Sequence, residues 1–236
     1  MPNSSELTRT SNRRSFLTFA VAASASVPFS NGAFAHERSR IADVIKVSAG
    51  AQKGARTQKT VQAAASLREL WLGHIFWVRN VSIASIDKND KAMKTAEQQV
   101  VENAKALAAS IEPFYGPAAK DKFFELLAGH YGAVKAYLVA TVAADAGAQG
   151  TATQDLTSNA AQIADFLSKA NPNLPKDALQ GLLLAHGSHH IQQIQELKAG
   201  NYRAEAQTWE EMKGHVYQIA DATADALAKQ FAKKFS

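Results

Sequence analysis

The sequence predicts an all-α protein, an antiparallel four-helix bundle with additional short helices. Three observations lead there: apolar residues recur at three- and four-residue steps along most of the chain, no run alternates as a strand does, and the connectors between long helical stretches are short. With 46% hydrophobic and 20% charged residues, the 236-residue chain has the composition of a globular protein.

The elements follow in order. Residues 36–57 are polar and basic, with Gly50 and Gly54, and read as a flexible lead-in to a domain over 58–236. A first helix is expected from about Thr57 to Ile86, with Leu67, Leu70, Trp71, His74, Val78 and Val81 on one stripe. A second runs from about Lys91 to Glu112 and stops at Pro113. The third occupies about Ala118 to Ala146 and ends at Gly147, and Ala148-Gln149-Gly150-Thr151 reads as a loop. A fourth, short helix covers about Asp155 to Ala170 and is closed by Asn171-Pro172-Asn173. The fifth begins after Pro175, a residue favoured in a first helical turn, and reaches about Leu197. The sixth takes in Ala204 to Phe231. No internal repeat is evident beyond an alanine-rich bias, which favours helix and close approach.

The first 35 residues read differently. Arg13-Arg14-Ser15-Phe16-Leu17 precedes an apolar stretch to about Phe29, too short for the roughly 20 residues a bilayer span requires. Ala33-Phe34-Ala35 supplies a small-x-small cleavage pattern. The segment resembles a twin-arginine signal peptide, which implies export by the Tat translocase in the folded state, cleavage after Ala35 and a periplasmic product. No second apolar span is evident, so no stable membrane anchor is expected after cleavage. Removing the signal leaves about 200 residues, enough for one core.

Charge and composition narrow the function classes. The formal net charge is +5, and the signal holds three arginines against one glutamate, so the remainder is near +3. That is too mild for nucleic acid, and no basic stripe with interleaved aromatics occurs. Without cysteine there are no disulfides, thiolate sites, iron–sulfur clusters or covalent c-type haem. Nucleophile motifs, phosphate-binding glycine loops and paired-carboxylate motifs are also missing. Monomer and homo-oligomer both stay open.

The histidines go beyond fold. His74, His130, His186 and His215 each lie mid-helix, three or four residues from apolar neighbours, and so share the inward face of four different long helices. One such residue is ordinarily a hydrogen-bonded core histidine. Four together point to a shared partner, since each buried imidazole brings donor and acceptor needs. His190 follows His186 by four and is a further ligand candidate, whereas His189 points elsewhere, toward solvent. Imidazole suits copper, zinc, iron or nickel and not calcium or magnesium. In-register carboxylates of a di-iron site are missing: Glu69 and Glu125 each precede a histidine by five. Non-covalent haem held by two histidines is a further option. Asp221 is placed to orient a ligand, and Arg79 to pair with Asp221 or hold an anion. Trp71, Trp77 and Trp209 read as packing residues.

Leu70-Trp71-x-x-His74-x-x-Trp77-x-Arg79-Asn80, Pro113-Phe114-Tyr115-Gly116, Phe166-Leu167-Ser168-x-Ala170-Asn171-Pro172-Asn173 and the helices bearing His130, His186 and His215 extend over most of 67–235. Together they resemble a family of small, little-characterised bacterial helical-bundle proteins with a central histidine on each of four helices. The resemblance implies a single bundle and no particular activity. Glu102 to Glu112 departs from its pattern, leaving Asn103 as the one ligand candidate on the second helix. The leading expectation is an exported protein that binds a transition metal or metal cofactor for binding, storage, sensing or redox work. The alternatives are a metal-dependent enzyme with an open coordination position and a cofactor-free interaction module with a buried histidine network.

Overall fold

The computed structural model describes residues 56–236, so the expected signal peptide and nearly all of the expected lead-in lie outside the described residues. The described chain is all-helical: α1 Gln58–Ile86, α2 Asp90–Ala109, α3 Glu112–Tyr115, α4 Pro117–Ala143, α5 Ala146–Ala170, α6 Lys176–Lys198, α7 Tyr202–Gln230 and α8 Ala232–Phe235. Six of these are long, and the two short ones have four residues each.

The long helices pair as three consecutive hairpins, α1 with α2, α4 with α5 and α6 with α7. Each hairpin's first helix also packs on the second helix of another: α1 on α7, α4 on α2, α6 on α5. The three first helices touch one another, so α1, α4 and α6 form an inner layer and α2, α5 and α7 an outer one.

This arrangement reflects a threefold repeat with a spacing of 56 residues, in place of the expected absence of one. Each hairpin turns through a residue of positive φ: Lys88 (56°), Ala144 (58°) and Gly200 (69°). Each then starts its second helix with an Asx N-cap, Asn89, Asp145 or Asn201, whose side chain accepts from the backbone N–H of Ala92, Ala148 or Ala204. The inner helices carry Leu70-x-x-Gly73-His74, Leu126-x-x-Gly129-His130 and Leu182-x-x-Ala185-His186. From the outer helices Asn103 Nδ2 donates to Leu70 O at 2.9 Å, Asn159 Nδ2 to Leu126 O at 2.9 Å, and His215 Nε2 lies 2.8 Å from Leu182 O. Every one of these contacts spans 33 residues. Divergence at most other positions hides the period from a reading of residue types alone.

Helix boundaries agree with expectation at five of the six long helices to within a few residues. The exception is α5. Residues 148–151 are helical, because the chain turns earlier, at left-handed Ala144, and Asp145 caps a helix that absorbs Gly147 and Gly150. The short fourth helix is therefore a 25-residue one.

Two apolar clusters make up the core. One gathers Leu67, Trp71, Phe123, Leu127, Leu179 and Leu183 with the C-terminal parts of the outer helices. The other gathers Val78, Val81, Val134, Tyr137 and Ile194 toward the opposite end. The histidines lie between them. Among the described residues α4 is long and apolar enough to cross a membrane by length and composition, and half of its most apolar window is buried inside the fold. Its place in the inner layer accounts for that apolarity.

Candidate metal centre

His74 from α1, His130 from α4, and His186 and His190 from α6 converge at the middle of the inner layer. All four are buried, with exposures of 5%, 5%, 1% and 1%. One ligand nitrogen from each lies within 4.8 Å of the others. His190 Nε2 is 3.2 Å from His186 Nε2 and 3.4 Å from His74 Nε2. A tetrahedral ion with bonds of about 2.0–2.1 Å holds its nitrogens about 3.3 Å apart, so two edges of such a site already have the required length. His130 stacks on His186 with ring centroids at 5.4 Å and an interplanar angle of 17°. Trp71 meets both His74 and His186 edge-on and closes the α1 side.

The repeat explains three of the four positions. His74, His130 and His186 are equivalent and ring the axis between the three hairpins. His190 stands one turn beyond His186, where the other hairpins have Val78 and Val134. It breaks the symmetry and adds a fourth nitrogen from one side.

Burial holds these imidazoles neutral. Desolvation brings His74 down to about 3, with His130 adding to the effect, and His130 down to about 4, with Asn159 opposing part of the shift. Desolvation, then the neighbouring histidines, hold His186 and His190 well below the ordinary histidine value. Neutral imidazole is the form that binds a metal. Hydrogen bonding among the rings is incomplete: His130 Nε2 and the Nδ1 atoms of His186 and His190 have no hydrogen-bond partner. Each unmet buried polar atom costs about 1–3 kcal/mol, a cost that a cation accepting the Nε2 lone pairs removes at His130.

The other sequence candidates lie elsewhere. His215 is on the outer helix α7, with Nε2 against the Leu182 carbonyl and its ring 5.3 Å from that of half-buried His189. His215 occupies the position of Asn103 and Asn159, which fasten an outer helix to an inner one. Asn103 is that fastener and not a member of the histidine group: a Cβ on Gly73 would come within 2.9 Å of its Nδ2. Arg79 does not pair with Asp221. It forms a two-pronged pair with Glu205 (2.5 and 2.8 Å), against the Trp209 ring, and Gln193 also donates to that carboxylate at 2.9 Å. Asp221 instead accepts two bonds from Arg68, at 2.7 and 2.5 Å, and Arg56 lies 3.5 Å away. Both ion pairs join α1 to α7 and belong to the hairpin interface.

A cavity of about 30 Å³ adjoins the site. Its lining repeats the threefold pattern, with Leu67, Phe123 and Leu179 from the inner helices and Leu107, Ile163 and Ile219 from the outer ones. His74, His130 and His186 line it, and His190 does not. This volume gives haem no support, since ordinary ligand pockets hold roughly 300 Å³ or more.

Compared with known proteins, the chain matches no family model, no curated protein and no solved structure. Function is therefore read from the geometry alone.

Proposed function

We propose that this protein binds one transition-metal ion through His74, His130, His186 and His190. The observation that supports it is the convergence of four buried, neutral imidazoles from three inner helices within 4.8 Å. An all-nitrogen set of this kind suits zinc, copper, nickel or iron. A buried hydrogen-bonded network would satisfy its own members, and this one leaves the His130 Nε2 unmet, a lone pair that a metal would take up. The four helices expected to carry a central histidine are α1, α4, α6 and α7, and the proposed site uses the first three.

The test is elemental analysis of the purified full-length chain after equilibration with each ion in turn. One equivalent per chain is expected. His74→Ala together with His186→Ala should abolish it, and His215→Ala should leave it in place. A wild-type chain that takes up none of the four ions would remove the reading.

The export proposal rests on Arg13-Arg14 and Ala33-Phe34-Ala35. The folded-state route matches a protein whose metal is inserted before export, giving a periplasmic metal-binding protein. Arg13→Lys with Arg14→Lys should retain the chain in the cytoplasm, read by fractionation and by the size of the uncleaved product. Normal export of that variant would count against the twin-arginine route.

A further inference from the structure

Accepting that the four histidines hold a metal, we infer that the axial cavity delivers a small uncharged diatomic molecule, of the dioxygen or nitric oxide class, to the metal's face opposite His190. The cavity and His190 lie on different sides of the ring: His74, His130 and His186 line the cavity, and His190 does not. A ligand arriving through the cavity meets the face framed by the three equivalent histidines.

Size and polarity select the class. About 30 Å³ accommodates a guest of one or two water molecules' size and excludes an organic substrate. A resident water needs two to four polar partners. Apart from the histidines and Trp71, whose indole carries one N–H donor, the polar lining consists of Ser110 and Thr223, whose hydroxyls donate to Leu107 O (2.6 Å) and Ile219 O (2.8 Å) of their own helices. The remaining walls are aliphatic and aromatic, so a water or a charged ligand gains little there and an apolar diatomic loses nothing. Arg68 and Arg79, which would attract an anion, are each engaged by a carboxylate. The proposed step is coordination alone, with no bond in the guest broken.

The experiment has two arms on the full chain. In the first, anaerobic protein is loaded with Fe(II), its iron content measured, and nitric oxide added. New visible absorption and an EPR signal at one equivalent are expected. Ile163→Phe, which fills the cavity from an outer helix, should keep the iron and bind nitric oxide at least tenfold more weakly; Ile219→Phe is the equivalent substitution should the first not fold. In the second, metal-free protein is exposed to xenon and followed by xenon NMR. One site is expected, lost when the cavity is filled. Iron uptake without a nitric oxide response, an undiminished response in a folded filled variant, or no xenon site would each overturn the inference. Failure to take up iron would instead count against the metal site, and the xenon arm would still decide whether the cavity accepts a small apolar guest.

Discussion

Asn103 and Asn159 show how single residues set the geometry of the centre. Each sends Nδ2 to a carbonyl four residues before a histidine, and each sits where a glycine leaves room: Cβ atoms on Gly73 and Gly129 would lie 2.9 and 3.1 Å from the amide nitrogens. The amide thereby fixes the turn from which His74 or His130 projects. Groups that orient a ligand typically contribute about 10–100-fold in metal affinity. Asn159→Ala should therefore weaken metal binding by about that factor, measured by competition with a chromophoric chelator, and lower stability by about 1 kcal/mol through the lost hydrogen bond. Unchanged affinity with reduced stability would make Asn159 a fastener of helices only. Four of the five histidines proposed from sequence as ligands do converge. Their inward periodicity was legible. What periodicity omits is layer: His215 faces inward too, but from an outer helix, where it reaches the Leu182 carbonyl and the His189 ring of α6.

At the scale of elements, apolar periodicity and prolines made most boundaries readable, and the miss at α5 has a local cause. Gly147 and Gly150 resemble a loop, while the real turn passes through Ala144, an L-residue held at φ 58°. Asp145 was the available signal, as the counterpart of Asn89 and Asn201. Between elements, the Arg79–Glu205 pair fastens α1 to α7 with a carboxylate only 3% exposed. Hydrogen bonds from Arg79 hold Glu205 below its ordinary value of 4.5, against the opposing effect of burial. A lowered carboxylate releases its proton more readily in the folded state, so the unfolded state binds more protons and stability rises with pH through this window. The contribution is full above about pH 4.5 and disappears as pH falls through the folded value. Urea unfolding should find Glu205→Gln less stable than wild type at pH 7, with the gap narrowing below pH 4.5. Arg79→Ala should cost more at pH 7, about 2–3 kcal/mol given its partial exposure, because it leaves the carboxylate buried and unpaired. A gap independent of pH would mean that the charge of Glu205 contributes nothing.

At the scale of the whole molecule, the three hairpins bring their equivalent histidines to one axis, and the site belongs to no hairpin alone. A ligand shared by α1, α4 and α6 binds only when all three are docked, so its binding energy adds to the global folding equilibrium. The metal should stabilise by RT ln(1 + [M]/Kd), about 2.7 kcal/mol at one hundred times Kd. For a chain of this size each kcal/mol moves Tm by about 2–4 °C, so saturating metal should raise Tm by roughly 5–10 °C. Calorimetry of the full chain with metal and with a chelator tests this, because the prediction concerns cooperativity as well as magnitude. The transition should move as one unit, and His190→Val should shrink the shift. Valine there restores the residue found at the two equivalent positions and leaves the apolar packing of the axis in place. A second transition that alone responds to metal would show instead that one hairpin holds the ion by itself, which the spread of ligands over α1, α4 and α6 argues against.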